Sequence, residues 1–260
     1  MFHLICWNKK VCVISCIKSL FLYEKVLSIR NSSIISLSDS NNAFEGLNNQ
    51  LHLIEIVNCT YLSSWDWTQL SNLKHLMEIH VSYSELTHIT DGLTSIQNLD
   101  IEAFVFHRNK IQDIADNAFA PFENLERLAL DNNYIAELKR SMFPTKAKKL
   151  SILGLSYNQL QDLPEDLFSN MPALKSLYLT GNPLVTIDER VFRPIWKSLK
   201  LFLFYGEYAI YVGSLFHGIV VRGGMSRCHT MMTGHHSPAS VILHIIIESA
   251  KNRISQIPFG

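Results

Sequence analysis

The sequence predicts an α/β solenoid, with a curved parallel β-sheet on the concave side and short helices or loops on the convex side. Three observations predict it. A pattern of five apolar positions and one asparagine recurs in register between residues 99 and 193. Its asparagines, Asn109, Asn133, Asn158 and Asn182, are spaced by 24, 25 and 24 residues. An aromatic follows each asparagine ten residues later, at Phe119, Phe143, Phe168 and Phe192. Self-similarity at a fixed period of this length is the mark of a stacked repeat.

The clearest copies carry their apolar residues at positions 1, 4, 6, 11 and 14. They are Ile101, Phe104, Phe106, Ile111 and Ile114; Leu125, Leu128, Leu130, Ile135 and Leu138; Leu150, Leu153, Leu155, Leu160 and Leu163; and Leu174, Leu177, Leu179, Leu184 and Ile187. This is the leucine-rich repeat pattern. Each copy opens as a short strand whose positions 1, 4 and 6 point inward. At position 9 the chain leaves the strand. An asparagine there both donates and accepts hydrogen bonds, so it can satisfy backbone groups that the turn leaves unpaired. Stacked copies would align these side chains in a ladder, with the phenylalanines as a spine behind them. One repeat cannot bury its apolar face alone, so the copies must stack and the ends need caps.

The register reaches back towards the N-terminus with decay. Leu27, Ile29, Ser32, Ile34 and Leu37 make a first copy, Leu51, Ile54, Ile56 and Cys59 a second, and Leu76, Ile79, Val81, Ser84, Leu86 and Ile89 a third. The expected ladder is therefore Ser32, Cys59, Ser84, Asn109, Asn133, Asn158 and Asn182. Cys59 reads as a structural residue of that ladder, and Trp65 and Trp67 read as packing on the return segment of the second copy. The array is assigned to residues 24–206, seven repeats and a partial eighth. In the eighth copy, Leu201 and Leu203 are assigned to positions 4 and 6 and Gly206 to position 9.

Residues 1–23 are read as an apolar leader or a degenerate N-terminal cap. Lys9 and Lys10 precede an apolar run from Val11 to Ile17, but Lys18 interrupts it before any convincing cleavage site. Cys6, Cys12 and Cys16 lie where extracellular arrays carry a disulfide cap, at spacings unlike the usual cap. Residues 207–260 are read as an irregular tail outside the register, such as an alternative exon or a retained intron would supply. Cys228, His229, His235 and His236 lack the paired spacing of a zinc site. Leu201–Val221 includes Glu207 and His217, which argues against a membrane span.

The 260 residues carry no formal net charge and the pI is about 7.2, so nothing points to nucleic acid. No Gly-x-Ser-x-Gly motif and no phosphate-cradling glycine loop occurs. The sequence is therefore read as non-enzymatic, with no cofactor and no metal. Positions 3, 5 and 7 of each copy project from the sheet and define the expected binding face. Its candidate residues are Glu55, Glu78, His80, Val105, His107, Arg127, Asp131, Ser156, Tyr178 and Thr180. The neighbouring His80 and His107 read as part of a solvated polar surface. Such faces bind proteins or glycans through many modest contacts. Two sequons, Asn31-Ser32-Ser33 and Asn58-Cys59-Thr60, offer Asn31 and Asn58 as glycosylation sites at position 8 of adjacent copies. Glycans on both would cover one edge of the N-terminal concave face.

Four more specific motifs carry a closer likeness: Ile54-Glu-Ile-x-Asn58-Cys59, Leu62-Ser-Ser-Trp65-Asp-Trp67, Leu-Pro-Glu-Asp-Leu-Phe at 163–168, and Arg190-Val-Phe-Arg-Pro-Ile-Trp196. With these, residues 24–206 resemble secreted arthropod leucine-rich repeat proteins named as the non-catalytic subunit of Oplophorus-luciferin 2-monooxygenase. The resemblance implies a secreted binding or scaffold subunit that performs no chemistry itself. Two functions are carried forward: an extracellular module binding a protein or glycan, and an accessory subunit stabilising a secreted oxidoreductase.

Overall fold

The computed structural model describes residues 25–31, 49–60, 67–184, 188–205, 208–212 and 219–222. Residues 1–23, Ser32, Ile34, Leu37, Trp65, Ile187 and the Cys228–His236 group lie outside the described residues.

Each copy contributes one strand to a single sheet. In chain order these are β1 (Val26–Arg30), β2 (Leu53–Val57), β3 (Glu78–Ser82), β5 (Ala103–Val105), β7 (Arg127–Ala129), β8 (Ile152–Gly154), β9 (Ser176–Tyr178) and β10 (Leu201–Tyr205). Between them, β4 (His88–Ile89) and β6 (Asp113–Ile114) pair in parallel as a second, two-stranded sheet. Every step from β1 to β10 in the main sheet is parallel, and it pairs the same repeat position in each copy. Val26 faces Leu53, Leu53 faces Glu78, Glu78 faces Ala103, and the series runs on to Ser176 facing Leu201. A parallel pair needs a crossover between its strands. Here the return segments supply it, with short 3₁₀ turns at Trp67–Leu70, Asp91–Ile96, Arg140–Met142 and Arg193–Ile195 and a four-residue helix α1 (Glu189–Phe192).

The alternation in each strand places the core. Leu27 and Ile29, Ile54 and Ile56, and Ile79 and Val81 are all 3% exposed or less. Behind the sheet Phe119, Phe143, Phe168 and Phe192 are buried. Phe104 meets Phe119 at 5.4 Å between ring centroids, and Phe168 meets Phe192 at 5.6 Å. Trp67 is buried with its edge towards Phe106, 6.0 Å away. These rings fill the space between sheet and return segments, where burying an aromatic contributes about 1.5–3 kcal/mol.

Two features differ from the sequence reading. The eighth strand is shifted by one residue, because Leu201 pairs with the position-3 residue Ser176 and Phe202 with the position-4 residue Leu177. Phe202, not Leu201, is therefore the inward residue. It is fully buried and reaches Phe192 at 5.4 Å. A one-residue shift turns every side chain of a strand to the other face, and the larger ring wins the core. Beyond it, the stretch read as irregular holds β11 (Tyr208–Val212) and β12 (Ile219–Arg222), each antiparallel to the strand before it. Among the described residues the main sheet thus has eight parallel strands followed by two antiparallel ones.

Candidate binding face

The face is held in shape by the ladder beneath its rim. Asn133 Oδ1 accepts from the Ile111 backbone N–H at 3.1 Å, while its Nδ2 donates to the carbonyls of Phe106 at 2.7 Å and Leu130 at 2.9 Å. One side chain therefore ties the turn of its own copy to the copy before it. Asn109, Asn158 and Asn182 repeat the pattern, accepting from Ser84, Ile135 and Leu160 at 3.1–3.2 Å. Ser84 keeps half of it. Its Oγ accepts from the Cys59 N–H at 3.1 Å and donates to the Ser82 carbonyl. Buried Cys59 points its thiol at the carbonyls of Val57 and Ile29, 3.5 and 3.7 Å away.

Just before the ladder, position 8 has a geometry that the apolar pattern does not reveal. Asn31, Asn58, Tyr83, Arg108, Asn132, Tyr157 and Gly181 all have positive φ, from 50° to 75°. The left-handed backbone swings the chain out of the sheet plane, so that the position-8 N–H of each of the first six copies meets the position-7 carbonyl of the next copy. Asn31 donates to Val57 at 3.0 Å, Asn58 to Ser82 at 3.0 Å and Arg108 to Asp131 at 2.9 Å. The signal available in the sequence was the recurrence of asparagine and glycine there, the residues that tolerate this conformation. Asn31 and Asn58 are exposed, and Asn58 Nδ2 donates to Asn31 Oδ1 at 2.7 Å.

Positions 3, 5 and 7 form the face itself. Its floor is made of short side chains. Ser28, Ala103, Val105, Ala129, Gly154, Ser156 and Thr180 are all buried. Val105, Ser156 and Thr180 were expected to meet a partner, but they are only 5%, 7% and 7% exposed because taller neighbours stand beside them. The accessible candidates are Glu55, Glu78, His80, His107, Arg127, Asp131 and Tyr178, of which Arg127 is the most open.

These charged groups are organised rather than scattered. Arg30 pairs with Glu55 at 2.6 Å, and the Ser28 hydroxyl donates to the same carboxylate at 2.8 Å. Burial works against the charged Glu55, but Ser28 and Arg30 more than offset it and hold its carboxyl below the usual value. His80 Nε2 stands 2.9 Å from Glu78 Oε2. Burial pulls His80 below the ordinary histidine value against the opposing pull of Glu78, and it lowers His107 likewise against that of Asp131. Asp131 is raised by burial, while the Ser156 backbone N–H, donating to Oδ1 at 2.8 Å, limits the rise. At neutral pH the face carries acidic Glu55, Glu78 and Asp131 beside basic Arg30 and Arg127, with two neutral histidines between them. Among the described residues no group of three or more His, Cys, Asp and Glu side chains is placed to hold a metal ion. No described helix is long and apolar enough to cross a membrane.

Residues 123–184 and 148–205 match the leucine-rich repeat family. Lumican of Rattus norvegicus is 30% identical over 186 residues, covering 71% of this chain and 52% of lumican. Podocan of Mus musculus is 28% identical over 183 residues, covering 68% of this chain and 28% of podocan. The chain thus spans about half the length of the lumicans it matches. Among solved structures, a leucine-rich repeat protein of Leptospira interrogans superposes with a TM-score of 0.54 at 22% identity, covering 68% of this chain and 42% of that one. Internalin C2 of Listeria monocytogenes gives 0.51 at 17% identity, covering 69% and 70%. These two likenesses concern the fold alone. The chain folds as a leucine-rich repeat solenoid, and residues 123–205 carry the leucine-rich repeat match.

Proposed function

We propose that this chain is a non-catalytic module that engages a protein partner across the sheet face. The observation that carries the reading is the relief of that face: Arg127, Glu78, His80, His107 and Tyr178 rise from a floor of buried small residues. Such a surface offers Arg and Tyr, the residue types that dominate binding energy when they seat in a partner. Acidic Glu55 and Glu78 beside basic Arg30 and Arg127 suit charge-complementary contacts with a protein surface. The experiment is affinity capture with the full chain, followed by chemical cross-linking. With a carboxylate-reactive reagent, cross-links are expected at Glu55 and Glu78 on the face, and Arg127→Ala with Tyr178→Ala should weaken capture about tenfold or more, as hot-spot losses do. Capture that both substitutions leave unchanged refutes the sheet face as the binding surface.

The reading is extracellular. The sequons at exposed Asn31 and Asn58 and the similarity to lumican and podocan support it. Expression in a secreting eukaryotic cell should add N-glycans at these positions, seen as a mass loss on enzymatic deglycosylation. A chain that is secreted without that mass loss excludes them as glycosylation sites. The motifs at 54–59 and 190–196 favour a narrower version, a non-catalytic accessory subunit of a secreted oxidoreductase. Recovery of an oxidoreductase among the captured proteins would support it, and a partner of another class would refute it.

A further inference from the structure

At position 8 the left-handed backbone brings a Cβ against the adjacent carbonyl, which glycine avoids by having none and asparagine offsets with local hydrogen bonds from its short side chain. Asn31, Asn58, Asn132 and Gly181 follow that rule. Tyr83, Arg108 and Tyr157 break it, with φ of 52°, 53° and 55°. Burial does not offset the strain, since Tyr83 is 50% and Tyr157 57% exposed and Arg108 is exposed as well. Tyr134, at position 10 of its copy, is 47% exposed. Bulky residues kept in a strained conformation that the core does not use are expected where a ligand uses them.

The geometry points to an edge, Tyr83–Arg108–Tyr134–Tyr157, that docks an acidic extended segment of a partner protein. This rests on the protein-binding reading above and moves the anchor from the sheet face to its rim. The position-8 residues run in single file. The Tyr83 N–H donates to His107, that of Arg108 to Asp131, that of Asn132 to Ser156 and that of Tyr157 to Thr180, at 3.3, 2.9, 2.7 and 2.6 Å. Tyr83 and Tyr157 are three strands apart, about 14 Å, which is the reach of about four residues of extended peptide. The Arg108 guanidinium lies over the Tyr83 ring at 5.1 Å, and that ring meets His107 edge-on at 5.5 Å. Stacking on an aromatic face leaves the planar donors of an arginine pointing outward, where they match a carboxylate in a two-point fork. The charges at position 10 cancel, because Lys110 pairs with Glu85 at 2.8 Å. Arg108 is therefore the charge this rim presents, with tyrosines on either side to pack the partner's chain.

The test uses the full chain with a glutamate–tyrosine copolymer as the acidic probe, and with a lysine–tyrosine copolymer and heparin as contrasts. The acidic copolymer is expected to bind, and more weakly as salt rises. Replacing Tyr83→Asn, Arg108→Asn and Tyr157→Asn installs the residue that other copies use. The triple variant should keep or raise Tm while losing affinity by at least about tenfold. Arg108→Glu alone should abolish binding of the acidic copolymer and confer binding of the basic one. A lower Tm in the triple variant would make these side chains structural and overturn the proposal. So would a preference for heparin, or copolymer binding that none of the variants changes. If capture of the partner falls with Arg127→Ala and Tyr178→Ala but not with the triple variant, the rim proposal fails and the sheet-face reading stands. If neither set changes capture, both fail.

Discussion

The Asp131 carboxylate lies directly over the α-carbon of Gly154 on the neighbouring strand. A Cβ at position 154 would come within 2.8 Å of Asp131 Cγ, closer than real Cβ atoms approach. From this seat Asp131 Oδ1 accepts from the Ser156 backbone N–H at 2.8 Å. Glycine at 154 is thus needed for space rather than for backbone freedom. Gly154→Ala should push the carboxylate off and leave the half-buried N–H to find another partner, at a cost of about 1–3 kcal/mol. Asp131→Ala should relieve that clash, so the double variant should be less unstable than the sum of the singles. Denaturant midpoints in a double-mutant cycle measure this, and strict additivity would refute the contact.

The same seat makes Asp131 a destabilising charge at neutral pH. Burial raises its folded pKa above the ordinary carboxylate value. The folded chain therefore holds that proton more tightly than the unfolded chain does, and stability from this group increases as pH falls through the folded pKa. Asp131→Asn keeps the acceptor for Ser156 and removes the charge. Its Tm should exceed that of the parent at pH 7, and the difference should close as pH approaches 4. A gap that widens on acidification would contradict the sign of the shift.

His80 and His107 act in the opposite sense. Burial lowers both below the ordinary histidine value of 6.5. The unfolded chain therefore takes up protons first, and stability is lost as pH falls from about 6.5 towards the lower folded values. The groups that bear on them are Glu78, Arg127 and Glu55 for His80, and Asp131, Arg108, Arg127 and His80 for His107. The double variant His80→Gln with His107→Gln should flatten the Tm profile between pH 6.5 and 5. An unchanged slope would place the acid sensitivity elsewhere.

The repeat made the fold legible because each apolar position is dictated by the same inward geometry in every copy. Positions 3–5 are strands from Val26 to Tyr178, and the asparagines at position 9 all turn under the rim. The eighth copy misled, because Leu201 and Leu203 fit the leucine pattern while Phe202 is the residue that fills the core beside Phe192. The face was legible only as a set of positions. Which of them stay accessible depends on heights across strands, such as Asp131 over Gly154, and no pattern within one strand carries that information. The strained rim at Tyr83, Arg108 and Tyr157 was hidden because the apolar register says nothing about position 8. Only the copies with asparagine or glycine there hint at its backbone.

The ladder gives the sharpest stability prediction, because its residues fall in a physical order. Asn133 satisfies the Ile111 N–H on one side and the Phe106 and Leu130 carbonyls on the other. Leucine at this buried site has neither a donor nor an acceptor, and each group left unpaired costs about 1–3 kcal/mol. Serine keeps an acceptor, as Ser84 does for the Cys59 N–H, and one donor. Asn133→Leu should therefore lower Tm well below Asn133→Ser, with both below the parent, and Asn158 should follow the same order. Asp would retain the Oδ acceptor, but its second oxygen would face the Phe106 and Leu130 carbonyls. Asn133→Asp should therefore be destabilising at pH 7 and recover on acidification, when the carboxyl gains a proton to donate. Thermal melts of the three variants at pH 7 and pH 4 check the order, and a leucine variant as stable as the parent would rule out the ladder as a source of stability.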